Sequence, residues 1–218
     1  MKPYFIRPDA MSAQPPIQTQ IDLLRHGEPV GGRRYRGQID DPLSEQGWQQ
    51  MRAAVMGRQE WDVIYSSPLK RCAEFAQELS GRLLLPLTID ERLKEIGFGV
   101  WEGRTPDEIR CDDPLRLANF WRNPVGNRPE GAESLASFQA RVSAAWADIC
   151  AANTGQRVLI VGHAGITRLI LSLVLGSPAE HMFRIQVNNA GLTRIRIQGS
   201  GVDAMPTLVF HGGPPVAD

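Results

Sequence analysis

Apolar residues along this chain follow two periods. Short runs rich in branched apolar side chains, at 20–24, 62–66, 83–89, 157–161, 192–198 and 207–211, predict six strands. Helical patterns alternate with the first four. Ser44 is placed to cap a helix carrying Trp48, Met51 and Val55 on one face. Ser67-Pro68 supplies an N-cap and an N1 proline for a helix with Leu69, Cys72, Ala76 and Leu79, ending at Gly81. Leu135, Phe138, Val142, Ala145 and Ile149 share another helical face. Ile166, Leu169, Ile170 and Leu173 share a fourth, stopped by Gly176. Thr105-Pro106-Asp107-Glu108 and Ser177-Pro178-Ala179-Glu180 both read as capping boxes with proline at N1.

This alternation predicts an α/β three-layer sandwich around a mostly parallel central sheet. The stretch 105–133 has helix signals and no strand, so a helical excursion over the sheet edge is expected. Residues 1–19 hold four prolines and read as a flexible N-terminal tail, within which Met11 is an alternative start. Residues 20–211 are expected to form a single domain, followed by a C-terminal tail at 212–218.

Charge and composition then exclude several classes. With 24 basic and 24 acidic residues the formal net charge is +0, which argues against a nucleic-acid or membrane-surface partner. The cysteines (Cys72, Cys111, Cys150) are odd in number and in no CxxC pattern, so neither a disulfide framework nor a zinc ribbon is expected. No apolar run is long enough to span a membrane, and the N-terminal stretch lacks the apolar core of a signal peptide. A cytoplasmic location is the expectation.

Candidate chemistry sits where predicted strands end. Leu24-Arg25-His26-Gly27-Glu28 follows the first strand, and Gly162-His163-Ala164-Gly165 follows the fourth. In an open α/β sheet, ligands bind at the carboxyl ends of the strands. A histidine there can act as nucleophile or acid–base group, and arginine can grip an anionic oxygen in bidentate fashion. Arg71 falls in the first turn of the helix after the second strand, beside backbone N–H groups that favour anions. Arg25, Arg71, His26 and His163 together describe a pocket for a tetrahedral oxyanion such as phosphate. Phosphoryl transfer also needs a proton donor for the leaving oxygen. Glu95, in the mixed apolar and glycine-rich stretch 93–103, is the candidate, ahead of Glu28, Glu91 and Glu102.

Taken together, these pieces resemble the histidine phosphatase superfamily, which has the phosphoglycerate-mutase-like fold. The matching segments, in the family's order, are Leu24-Arg25-His26-Gly27-Glu28, then Gly37…Asp40…Pro42-Leu43-Ser44…Gly47, then Tyr65-Ser66-Ser67-Pro68-Leu69-Lys70-Arg71, then Glu95…Phe98-Gly99…Trp101-Glu102-Gly103, and Val161-Gly162-His163. The resemblance implies a phosphorylated nucleophile at His26, phosphoryl binding by Arg25, Arg71 and His163, and proton donation by Glu95. It implies no metal and no cofactor. The texture around these motifs is most similar to bacterial α-ribazole phosphatases of cobalamin synthesis. Trp101 and Trp121 read as packing residues, with a pocket wall for an aromatic leaving group as the alternative. The expected partner is a small phosphate ester, and a homodimer is left open.

Two departures bear on substrate choice. Where the family often has asparagine after its RHGE motif, this chain has Gly31-Gly32 followed by Arg33, Arg34 and Arg36, which become candidate substrate contacts. Near Pro129–Ser134 the family pattern P-x-G-E-S carries an extra Ala132. Competing readings are a broad-specificity or sugar-phosphate phosphatase, a phosphoglycerate mutase of the same superfamily, a non-catalytic phospho-ligand binding module, and a zinc hydrolase using both histidines. The last is disfavoured because Arg25 and Arg71 would repel a divalent cation.

Overall fold

The computed structural model describes residues 17–58, 60–201 and 204–213. Residues 1–16, with most of the expected tail and Met11, lie outside the described residues, as do 214–218. Six strands form one sheet: β1 (Gln18–Arg25), β2 (Val63–Ser66), β3 (Leu87–Ile89), β4 (Arg157–Gly162), β5 (Leu192–Gln198) and β6 (Met205–His211). Their order across the sheet is β3-β2-β4-β1-β5-β6. The three pairings among β3, β2, β4 and β1 are parallel, and β5 and β6 add an antiparallel edge. Among the described residues six α-helices accompany them: α1 (Glu45–Ala54), α2 (Lys70–Leu83), α3 (Pro106–Asp112), α4 (Arg116–Arg122), α5 (Leu135–Ala152) and α6 (Ala164–Val174).

Strand alternation divides the core into two layers. Ile21, Leu23, Val158, Ile160 and Ile195 face one side and pack with Phe138, Val142 and Ile149 of α5 and Leu169 and Ile170 of α6. Leu24, Ile64, Leu159 and Val161 face the other and pack with Met51 of α1 and Phe75 and Leu79 of α2. Both layers together form the expected three-layer sandwich. On the second face, fully buried Asp22 accepts from Trp61 Nε1 at 2.9 Å and from Arg194 Nε at 2.8 Å, so this charge is paired.

The helical excursion is present as α3 and α4. An edge-to-face chain of rings docks it: Tyr35 on Trp101 at 5.3 Å, Trp101 on Phe120 at 5.2 Å, and Phe120 on Phe183 at 4.9 Å. Trp101 is thereby a core residue with 3% exposure, not a pocket wall. Thr105 makes its capping box with Glu108 as expected.

Several boundaries differ from the sequence expectation. Strand β1 begins at Gln18, inside the expected tail. The helix expected to end at Gly81 runs on through Leu83, and Leu84 takes the left-handed conformation (φ 55°) that closes it. Its N–H bonds Ser80 O, and Ser80 Oγ donates to Leu85 O at 2.7 Å, so the serine supplies the stop expected of glycine. The strand expected at 83–89 accordingly shrinks to Leu87–Ile89. Leu69, not Ser67, stands at the N-cap of α2. The second expected capping box does not form: Ala179–Arg184 is a 3-10 helix behind Pro178, with no side-chain cap.

Candidate active site

Sheet register builds the site. In the parallel ladder of β1 and β4, Arg25 pairs with Gly162, so the next residues, His26 and His163, leave the sheet side by side. Their rings meet edge to face with centroids 5.3 Å apart. The neighbouring strand β2 ends at Ser66, and Ser67 N–H bonds Val161 O at 3.0 Å, continuing the ladder. That brings Ser67 against His163 and feeds the chain into α2, where Arg71 sits. Three adjacent strand ends thus deliver both histidines and both arginines to one edge.

Close backbone approach makes room for them. A Cβ on Gly27 would lie 2.2 Å from Gly47 O, and one on Gly47 would lie 2.1 Å from Glu28 O. Only glycine at both positions lets the segment after His26 pack against the start of α1.

A cleft of about 880 Å³ opens at this edge, lined among others by Arg25, His26, Arg71, Glu95 and Gly165. Arg25 donates to Val187 O at 2.6 Å; Arg71 donates to Ile39 O at 2.6 Å and to Gly37 O at 2.7 Å. The Nε–H groups of both arginines are buried with no partner among the described residues. Burial pushes Arg25 down to about 10 against the opposing pull of Glu95; it remains a cation at neutral pH.

Both histidines are neutral at pH 7. Burial, and then the charges of Arg25 and Arg71, hold His26 well below the ordinary imidazole value. Burial, then Arg71 and His26, do the same for His163. His26 Nδ1 lies 2.7 Å from Gly27 O. A carbonyl only accepts, so the neutral ring carries its proton on Nδ1 and presents a lone pair at Nε2. His163 is fully buried and lies beneath His26 instead of lining the cleft. Its Nε2 is 2.7 Å from Ser67 Oγ, and Cys72 Sγ lies 3.6 Å from the same nitrogen.

Glu95 rests on the amino end of α6. Its Oε1 accepts from Gly165 N–H at 3.1 Å and from Ile96 N–H at 3.0 Å. A Cβ at Gly165 would lie 2.2 Å from that oxygen, so glycine is what admits the carboxylate. Behind it, Arg141 of α5 donates to the carbonyls of Arg92, Lys94 and Glu95 and pairs with Glu133 at 2.7 Å. Arg141 is therefore the brace of the glutamate's loop, a role the sequence reading missed.

The three loop arginines divide. Arg36 is buried and donates to Val30 O, Gly32 O and Asp41, bracing the loop that replaces the family asparagine. Arg34 donates to Gly31 O and Gly103 O. Arg33 is exposed at the cleft mouth. Two further cleft arginines, Arg168 and Arg184, were not anticipated. Arg168 had a signal: it is the one charge in α6, a helix buried on almost every side. Among the described residues, no three His, Cys, Asp or Glu side chains cluster in a metal-holding arrangement, and no helix is long and apolar enough to cross a membrane.

Residues 21–205 match the family model of the histidine phosphatase superfamily (branch 1). The chain belongs to that superfamily. Phosphoserine phosphatase 1 of Hydrogenobacter thermophilus is 32% identical over 185 residues, covering 82% of this chain and 87% of the relative. Among solved structures, the mycobacterial glucosyl-3-phosphoglycerate phosphatase Rv2419c superposes with TM-score 0.78 at 30% identity, covering 89% of this chain and 99% of its own. The α-ribazole phosphatase from Shigella flexneri superposes with TM-score 0.75 at 25% identity, covering 91% and 98%. Some curated relatives are longer, and the chain spans 52% of their length. These relationships make the chain a phosphatase of this superfamily.

Proposed function

We propose that the chain is a phosphomonoesterase that works through a phosphohistidine on His26. The observation that carries this reading is the neutral His26 ring, with its proton held by Gly27 O and Nε2 free beside Arg25 and Arg71. Nε2 attacks phosphorus and forms the P–N bond as the P–O bond to the leaving group breaks. Arg25 and Arg71 hold the phosphoryl oxygens, and His163, its ring centroid 5.3 Å from that of His26, backs the nucleophile from beneath. Ser67 Oγ accepts from Leu69 N–H at 3.3 Å, so its own proton can go to His163 Nε2, which leaves Nδ1–H as the ring's donor. Glu95, in its protonated form, delivers the proton to the departing alkoxide. It then takes a proton from water as water attacks phosphorus, the P–N bond breaks, and inorganic phosphate leaves.

The finer assignment is the leaving group. Trp121, 44% exposed at the cleft wall, supports an aromatic one such as the α-ribazole released from its 5′-phosphate, as does the structural likeness to an α-ribazole phosphatase. The relatives named for phosphoserine and glucosyl-3-phosphoglycerate support an acidic one. Phosphate release from a panel of α-ribazole 5′-phosphate, 3-phosphoglycerate, phosphoserine, fructose 2,6-bisphosphate and p-nitrophenyl phosphate, with chelator present, separates these. A kcat/KM for one substrate about 100-fold above the rest, some 2.7 kcal/mol of transition-state preference, assigns it. Comparable slow rates on all define a broad-specificity enzyme, and no release from any would support the binding-module reading.

A further inference from the structure

Charge in the cleft is far out of balance. Its wall holds seven arginines (25, 33, 34, 36, 71, 168 and 184) against two glutamates, Glu28 and Glu95, in a chain whose formal net charge is +0. Arg25 and Arg71 are accounted for by the phosphoryl group, and Arg36 is paired with Asp41 at 3.0 Å. Arg34 is tied to two backbone carbonyls. That leaves Arg33, Arg168 and Arg184 as the cleft arginines without an ion pair or backbone tie of this kind to the loop, among the described residues.

Arg168 is the fixed member of this set. It lies three and four residues after Gly165 and Ala164, so all three share the face of α6 that lines the cleft. Its Nε–H donates to Ile185 O at 2.8 Å, and its guanidinium stands 5.8 Å over the ring of Phe183. The Nε bond sets the plane of the group and, among the described residues, the terminal N–H donors have no partner. No carboxylate among the described residues forms an ion pair with it. The nearby carboxylate, Glu95, is held by the amides of Ile96 and Gly165. Burial lowers the pKa of Arg168, as expected of a half-buried cation with no counter-ion of its own.

We propose a second anion site in this cleft, centred on Arg168 and flanked by Arg33 and Arg184. It takes a carboxylate or second phosphate carried by the leaving alcohol. The proposal rests on the phosphomonoesterase reading and names its substrate class: phosphorylated acids or bisphosphates, in preference to esters of neutral alcohols such as α-ribazole.

Wild-type protein tests it without mutation. The kcat/KM for 3-phosphoglycerate should exceed that for its methyl ester by about 10- to 100-fold, the worth of a hydrogen bond to a charged group. Phosphoserine and fructose 2,6-bisphosphate, run beside them, distinguish a carboxylate from a phosphate as the group bound. Arg168→Gln should then lower kcat/KM for the favoured anionic substrate at least 10-fold more than for p-nitrophenyl phosphate, and Arg168→Lys should restore part of the difference. Equal kcat/KM for acid and ester, with every charged member of the panel no better than α-ribazole 5′-phosphate, overturns the second site. So does an equal loss on all substrates in Arg168→Gln. Those results leave the phosphatase reading standing as long as p-nitrophenyl phosphate is hydrolysed. No hydrolysis of p-nitrophenyl phosphate or any other substrate removes both.

Discussion

At the residue scale, the site depends on which atom each side chain leaves free. His26 has one nitrogen occupied by Gly27 O and one open to the cleft. Glu95 has a carboxyl seated on two amides at a helix start. Loss of this proposed proton donor matters in proportion to how badly the leaving group needs a proton. Glu95→Gln should slow alkyl phosphate hydrolysis by 10²-fold or more, in the range of general acid catalysis. It should slow p-nitrophenyl phosphate hydrolysis much less. Single-turnover rates on both check this; equal losses would count against the assignment. The placing of His26, His163, Arg25 and Arg71 at one sheet edge was legible because each lies in a motif at or just past a strand end, whereas Glu95 was read from the mixed apolar and glycine-rich stretch 93–103. Ser67 and Arg141 were not. Ser67 looks like a helix cap until the register of β2 against β4 puts it on His163. Arg141 looks like a surface charge on α5 until its guanidinium is seen on three carbonyls of one loop.

At the scale of elements, α6 does two things at once. Its first turn holds Glu95, and its second presents Arg168. The contact between α6 and the Glu95 loop leaves no room for a side chain at Gly165. Gly165→Ala should therefore displace the carboxylate, which is the far end of a flexible chain, more readily than it unfolds the protein. The expected result is at least a 10-fold fall in kcat for a poor leaving group with Tm nearly unchanged, measured by steady-state kinetics and thermal melts. A large fall in Tm with kcat preserved in the folded fraction would contradict it. The helix and strand patterns made most elements readable, because a buried face repeats. The end of α2 was misread because glycine is only one way to stop a helix. Here Ser80 and a left-handed Leu84, 89% exposed, do it instead. Ser177 failed as a cap because its chain turns into a 3-10 helix behind Pro178.

At the scale of the whole molecule, folding buries two neutral histidines at the arginine-rich cleft, one on its wall and one behind it, and this links stability to pH. Unfolded, each ring protonates near its ordinary value of 6.5. Folded, burial and the arginine charges keep each neutral well below that value. The folded state thus binds fewer protons, so stability is unaffected above pH 6.5 and falls as pH drops below it. The slope approaches about 1.4 kcal/mol per pH unit for each ring. Denaturant titrations across this window should show the decline, and His163→Asn should make it shallower; a flat profile would refute the neutral pair. The three-layer architecture was legible from strand–helix alternation. The excess of cleft arginines was not, because a net charge of +0 hides where the charges go.

A phosphoryl group on His26 can be trapped directly during turnover. Wild-type protein should be mixed with p-nitrophenyl phosphate, quenched in alkali within one turnover, digested and analysed by mass spectrometry. One phosphoryl group is expected on the peptide containing His26, stable in alkali and lost in acid, and absent from His26→Ala, which should also have no turnover. Steady release of phosphate by wild-type protein with no phosphoryl group on His26, or undiminished turnover by His26→Ala, would contradict it.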